Sequence, residues 1–305
     1  MSNNDRFRGC LVGLAVGDMI GTTVEFQPRG TFVPLTGPVG GGPFRLESGQ
    51  WTDDTSMALC LADSLLACGG FDARDQMERY VRWWSAGYRS SNGVCFDIGV
   101  TVSSALRAFQ RSGDPFSGPT DPRTAGNGCL MRLAPIPMAY SHDPTRAIAL
   151  SATSARTTHG ATECVDASVY FGALLVAALN GADRDTVLAL SAPETVVAPA
   201  VLRIAGGGYR SKPRDAIRGT GYVIDSLEAA IWCVATTDSF AGAVLTAANL
   251  GDDADTTAAI CGQLAGALYG ESAIPAAWVD VLTLGTEIRA LADALQALTP
   301  AESDV

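Results

Sequence analysis

The sequence predicts an all-α fold in one domain, and three observations carry that prediction. Apolar and small residues recur at helical spacing in roughly a dozen runs, while the β-branched alternation that marks strands is scarce. No repeat of roughly 20–50 residues and no linker-like stretch divides the 305-residue chain. Two of the apolar runs place glycine at every fourth position, which suits helices packed backbone against backbone.

The first of these runs, Phe7 to Gly21, carries Gly9, Gly13, Gly17 and Gly21 on one ridge. Each would cost about 1 kcal/mol against Ala in an exposed helix, so the ridge implies a close neighbour. A second ridge, Gly262, Gly266 and Gly270, lies in the helix expected over 255–270. Thr31 to Gln50 is rich in Gly and Pro and reads as a loop. Thr52 to Cys68 reads as a helix closed by Gly69-Gly70, and Asp75 to Trp84 as another with Met77, Tyr80, Val81 and Trp84 on one face. A polar loop from Ser90 to Phe96 precedes a helix opened by Asp97 or Ile98. Residues 114–128 form a further loop.

Cys129 to Tyr140 is apolar but broken by Pro135 and Pro137, and Asp143-Pro144 caps a helix ending near Arg156. His159 to Asn180 is a long helix candidate, followed by short helices near 184–192 and 197–205. Helices are expected again at about 226–234, 238–249, 255–270 and 276–296, with loose termini at 1–4 and 299–305.

Apolar residues make up 47% and charged residues 17%, enough for a sizeable core. A formal charge of −11 argues against a nucleic-acid partner, since phosphate backbones need a basic surface. Eight cysteines without a C-x-x-C pair read as buried free thiols in a reducing compartment. The polar start Met1 to Arg8 lacks an apolar signal core, and no uninterrupted run of about 18 apolar residues occurs. The expectation is a cytoplasmic monomer with no membrane contact.

Chemistry concentrates in two clusters, Thr52-Asp53-Asp54-Thr55 and Gly251-Asp252-Asp253-Ala254-Asp255-Thr256-Thr257. Each opens a helix too apolar for a surface. Asp53 and Asp253 lie 200 positions apart, so only the tertiary fold could join them. A helix cap explains one such cluster, because Thr and Asp satisfy free N–H groups there. Two clusters of surplus carboxylates would repel each other unless a cation intervenes, and hard oxygen donors suit Mg²⁺ or Mn²⁺ over Zn²⁺. Both readings stay open on spacing alone. Asp18, buried at a helix end, is expected to bond backbone amides. Arg132 either pairs with phosphate or ties down a loop, and His142 is taken as surface.

In order, GCLVGLAVGDMIGTTVEF (9–26), WTDDTSMAL (51–59), CFDIG (95–99), GNGCLMRLAPI (126–136), TTHG (157–160), GYVIDSLEAAIW (221–232) and NLGDDADTTAAICGQLAGALYG (249–270) span nearly the whole chain. This series resembles the ADP-ribosylglycohydrolase family. The resemblance implies a compact orthogonal helical bundle holding two Mg²⁺ or Mn²⁺ ions. It implies Thr52, Asp53, Asp54, Asp253, Asp255 and Thr256 as metal ligands, and Glu25 and Asp97 as carboxylates near the scissile bond. Asp252 stands where relatives often have Gly and is assigned a cap instead; a cap is also the competing reading of Asp97.

The same resemblance places Gly126, Asn127, Gly128 and His159 along an ADP-ribose cleft, with the glycine loop presenting N–H groups to phosphate. Tyr222 either flanks the substrate or sits in the core. The implied activity is metal-dependent hydrolysis of mono-ADP-ribose from an acceptor, with CFDIG pointing to the arginine-specific bacterial branch. Serine-linked ADP-ribose, O-acetyl-ADP-ribose and small guanidino conjugates are the enzymatic alternatives. A non-catalytic, immunity-type ADP-ribose-binding role is the other class.

Overall fold

The computed structural model describes residues 2–299. Met1 and residues 300–305, part of the expected loose termini, lie outside that range. The N-terminal expectation needs correcting for residues 2–4: the Ser2 hydroxyl accepts from Asp5 N–H and caps a helix that already begins at Asn3.

Among the described residues fifteen α-helices follow in order: α1 (Asn3–Gly21), α2 (Asp53–Cys68), α3 (Ala73–Ala86), α4 (Val100–Ser112), α5 (Gly128–Met131), α6 (Pro135–Ala139), α7 (Pro144–Arg156), α8 (Thr162–Leu179), α9 (Arg184–Leu188), α10 (Pro199–Ala205), α11 (Val223–Thr236), α12 (Phe240–Ala248), α13 (Ala254–Tyr269), α14 (Ala276–Asp280) and α15 (Gly285–Ala297). Among the described residues no strand forms; two isolated antiparallel bridges, Gly41 with Leu46 and Gly126 with Tyr222, are the only β pairing. The all-α reading is borne out.

The centre of the bundle is the antiparallel pair α1 and α13. A Cβ added at Gly9, Gly13, Gly17 or Gly21 would collide with the backbone of Gly266, Gly262, Ala258 or Ala254 respectively. The two glycine ridges therefore mesh, as their spacing predicts, and both helices are buried almost all round. Because the pair is antiparallel, the C-terminal end of α1 lies beside the N-terminal end of α13. The site is built on that junction. Gln263 of α13 fastens the next layer: its side-chain oxygen accepts from Ala134 N–H at 2.8 Å, and its amide donates to the Leu130 and Met131 carbonyls at 3.0 Å. This ties α5 and α6 to the central pair.

Several boundaries shift for identifiable reasons. Asp97 has φ 58°, which no helix accommodates, so α4 starts at Val100 with Gly99 at its cap. Leu284 has φ 58° and splits the expected 276–296 helix into α14 and α15. Pro135, lacking an N–H, opens α6 and ends continuity with α5. Two helices, Asn3–Val24 and Thr162–Leu179, are long and apolar enough to cross a membrane, but 89% and 78% of those windows are buried inside the protein.

The meshed ridges make a quantitative expectation. Gly266→Ala forces a methyl group into the Gly9 carbonyl, and overpacking of this kind costs about 1–3 kcal/mol. Urea unfolding should show a lowered midpoint with an unchanged slope; a midpoint equal to the parent's would contradict the close approach.

Candidate metal centre and substrate cleft

Asp18 joins α1 to α2. Its carboxylate accepts from Thr52 N–H and Oγ1–H, both at 2.9 Å, from Thr55 N–H at 3.0 Å and from Thr55 Oγ1–H at 2.6 Å. The expectation that it bonds backbone amides holds, and with its lone pairs so occupied Asp18 fixes the first turn of α2. The Thr52 hydroxyl, its proton given to Asp18, lies 3.5 Å from Asp54 Oδ2 and 3.4 Å from Asp255 Oδ2. From α13, Thr256 Oγ1 donates to Asp54 Oδ1 at 3.1 Å. The two sequence clusters meet.

Two sets of three carboxylates each bring one oxygen apiece within 4.8 Å of one another: Asp18, Asp54 and Asp255, and Glu25, Asp253 and Asp255. Asp255 belongs to both. Glu25 arrives from the chain just after α1 and accepts Ala254 N–H at 2.9 Å, at the head of α13. Asp253 is held by Asn127, whose amide donates to Asp253 Oδ2 at 2.7 Å and to Ser226 Oγ at 2.8 Å. Asp53 belongs to neither set and faces the cleft beside Asp97. Among the described residues no Arg or Lys forms an ion pair with any of these carboxylates. A donor set of buried oxygens without a protein counter-charge fits a divalent cation.

The electrostatics agree. Burial, reinforced by neighbouring carboxylates, holds Asp53, Asp54 and Glu25 well above the usual carboxylate range. Burial likewise pushes Asp255 up to about 7 and, with Asp53 and Asp255 nearby, Asp97 to about 11. Asp18 reaches only about 6, because the donors from Thr52 and Thr55 offset its burial.

The carboxylates floor a cleft of about 720 Å³, within the usual range for small-ligand sites. Glu25, Asp53, Asp97, Gly126, Asn127, Gly128, His159, Asp253, Asp255 and Thr256 all line it, so the fold gathers these separated positions. Tyr222 does not. It is 38% exposed, neither core nor lining, and its hydroxyl donates to Glu163 at 2.6 Å. Its backbone is what serves the site: the bridge to Gly126 is closed by Asn127 N–H to the Gly221 carbonyl and Val223 N–H to the Ala125 carbonyl.

Part of the glycine loop is already occupied. Gly126 N–H donates to Thr124 and Asn127 N–H to Gly221, so neither is free for a phosphate. Gly128 is required for another reason, since a Cβ there would fall 2.8 Å from His159 Cε1. His159 is 2% exposed and lies under this loop. Arg132 ties down the loop: its guanidinium donates to the Gly128 carbonyl and to Thr158 Oγ1. His142 is exposed, as expected.

Neither Asp97 nor Asp252 caps a helix; Gly99 and Asp253 hold those positions. Both have left-handed backbone, φ 58° and 59°, as does Phe26 at 64°, and all three line the cleft. Phe26 N–H donates to the Asp252 carbonyl and Asp252 N–H to the Gln27 carbonyl, each at 2.8 Å, which secures the conformation of Phe26 and Asp252. Sequence reading missed Arg218, Thr220 and Thr101 in the cleft wall. A basic residue just before the Gly219-Thr220-Gly221 turn was the available signal for Arg218.

An all-α domain with buried carboxylate sets at the floor of a small-ligand cleft defines a protein built to hold a divalent cation against a ligand. The chain matches the ADP-ribosylglycohydrolase family over residues 1–304 and belongs to it. It is 47% identical over 299 residues to the ADP-ribosylarginine hydrolase Tri1 of Serratia proteamaculans (strain 568), covering 98% of this chain and 81% of that protein. It is 32% identical over 305 residues to the ADP-ribosyl-[dinitrogen reductase] glycohydrolase of Rhodospirillum rubrum, covering 97% of each. A solved structure described as an ADP-ribosylglycohydrolase-related protein complex superposes with a TM-score of 0.86 at 43% identity, covering 97% of this chain and 98% of that one.

The raised carboxyl values have a consequence for stability. Asp255 at about 7 means the cation-free folded state keeps a proton that the unfolded chain has released, so stability falls as pH rises from about 4 towards 7. A cation that binds the cluster removes this repulsion and stabilises more at higher pH. Calorimetry should find the Tm gain from Mn²⁺ over EDTA larger near pH 8 than near pH 5.5. The acid-side loss from neutral, buried His159 is common to both samples and cancels. Equal gains at the two pH values would put the cation elsewhere.

Proposed function

We propose that this chain hydrolyses mono-ADP-ribose from an acceptor, ADP-ribosylarginine on protein first among them, using two Mg²⁺ or Mn²⁺ ions. The observation that carries the reading is the pair of carboxylate sets sharing Asp255 on the floor of the cleft. Asp54, Asp255, Thr52 and Thr256 would hold one ion. Glu25, Asp253 and Asp255 would hold the other, with Asp53 reaching in from the cleft side. Bound there, such ions supply Lewis acidity and a water of lowered pKa.

The chain's own groups do the rest. Cleavage breaks the bond between the anomeric carbon and the acceptor nitrogen, adds the water's hydroxyl to that carbon and returns a proton to the leaving guanidine. The developing charge on the sugar is positive, so carboxylates beside the anomeric carbon favour it. Asp97 and Glu25 are the acid/base candidates. Asp97 stands in the cleft wall on a left-handed backbone, and in the cation-free protein burial and the neighbouring Asp53 raise its pKa towards the range in which a carboxyl can donate a proton. The preference for arginine over serine as the acceptor rests on the likeness to the two ADP-ribosylarginine hydrolases Tri1, each 47% identical to this chain. Arg218, the one cation among the cleft-lining residues, and His159 would meet the diphosphate.

The test is release of free ADP-ribose from mono-ADP-ribosylated arginine and serine peptides with Mg²⁺, Mn²⁺ or EDTA. Cation-dependent release from arginine is expected, and release from neither peptide sinks the assignment. Asp97→Ala should lower kcat by about 10²–10⁴-fold and leave cation binding intact. Asp255→Asn should lose more bound cation than Glu25→Gln, because it removes a ligand from both sets; equal losses would contradict the shared position.

A further inference from the structure

Arg132 is the largest buried charge outside the carboxylate floor, and its surroundings are unusual. The side chain is 1% exposed, and among the described residues no carboxylate pairs with it. A buried guanidinium without a counter-ion costs several kcal/mol unless charge-assisted hydrogen bonds replace its water. Here Nη1 donates to the Gly128 carbonyl at 3.1 Å, and Nη2 to Thr158 Oγ1 at 2.7 Å and, more weakly, to the Ser154 carbonyl at 3.4 Å. The Tyr80 ring lies beneath it, 4.9 Å from its centroid, and Nε has no partner. The hydrogen bonds go to the glycine loop and to the last turn of α7 with the turn after it that carries His159.

The proton count along this chain is informative. Arginine only donates, so Thr158 Oγ1 accepts from Nη2. Thr158 has one hydroxyl proton, and its other contact is His159 Nδ1 at 2.8 Å. Directing that proton to Nδ1 satisfies every member; the reverse, an Nδ1–H donor, would leave the threonine proton without an acceptor in a buried setting. Nδ1 is then the acceptor and the ring proton sits on Nε2. The Nε2 edge lies against the glycine loop at the cleft wall: a Cβ on Gly128 would be 3.2 Å from it and one on Gly126 3.4 Å. Burial and the neighbouring Arg132 charge keep the ring neutral, with its pKa lowered to about 3.

We propose that Arg132 is a positioning residue for the anion-binding side of the cleft. Through Thr158 it fixes His159 as the Nε2–H tautomer, and through the Gly128 carbonyl it fixes the loop above it. The diphosphate of an ADP-ribosyl ligand then meets one pre-aimed donor whose protonation does not change with pH. The ligand's identity rests on the function proposed above; the tautomer does not.

The chain has two histidines, so imidazole nitrogen NMR can read His159 directly, with His142→Gln removing the exposed one. The ligand-free protein should show the Nε2–H tautomer, unchanged from about pH 5.5 to 8.5. An Nδ1–H tautomer, or titration in that range, overturns the proposal whatever the protein hydrolyses. Thr158→Val keeps the side-chain shape and removes the relay. It should abolish the single-tautomer signal and weaken ADP-ribose binding in Mg²⁺ by about tenfold, the equivalent of about 1.4 kcal/mol. With ADP-ribosylarginine peptide the loss should fall on KM and leave kcat within about twofold. Thr158→Ser should restore all three readouts. Parental affinity in Thr158→Val also overturns the proposal. If the tautomer behaves as expected but no variant, nor the parent, binds ADP-ribose, the relay stands and the ligand assignment fails.

Discussion

The contact on which everything else depends is the backbone-close packing of α1 against α13. Glycines at 9, 13, 17, 262 and 266 let the two helices approach until carbonyls of one touch the backbone of the other. That approach sets the spacing of the carboxylates. Asp18 lies in the last turn of α1 and Glu25 just beyond it, while Asp253 and Asp255 belong to the head of α13, and oxygen atoms within 4.8 Å of one another tolerate little change in helix separation. Helices held apart by ordinary side chains sit about 8–10 Å axis to axis, a spacing at which these ligand sets would open. The glycines thus act as ligand-positioning residues without touching the site.

A second layer of control comes from polar groups that bond only to other protein groups. Asp18 spends its lone pairs on the first turn of α2, Asn127 both its amide protons on Asp253 and Ser226, and Gln263 its whole amide on α5 and α6. Each is buried and each fixes a neighbour that faces the cleft. Such fully satisfied networks rigidify a site, at the risk that losing one partner exposes an unpaired group in a dry setting.

The glycine ridges, the acidic helix starts and the cap at Asp143 were legible in the sequence because each is a local pattern, whereas the helix expected from Asp75 begins at Ala73 under a cap by Asp72. The choice between cap and ligand was not local. It needed the 200-residue juxtaposition of Asp53 with Asp253 that only packing supplies. Single-residue backbone conformations were also hidden: Asp97 and Leu284 are ordinary residue types, and nothing in their neighbours announces a left-handed turn. Arg132, Thr158 and His159 were visible singly, yet their relay depends on one short loop meeting one short turn. Arg218 offered only its place before a glycine turn, a signal with no helical or strand period to support it.

The central pair joins the first helix of the chain to one of the last. During synthesis α1 leaves the ribosome with its apolar, glycine-lined surface bare, and its mate follows only after more than two hundred further residues. The hydrophobic driving force for burying α1 is present from the start, but its proper partner is not. Contacts this distant in sequence are slow to form and leave nascent chains prone to wrong association. Until the α13 segment arrives, that apolar face can be covered only by other surfaces, the chain's own intermediate helices among them.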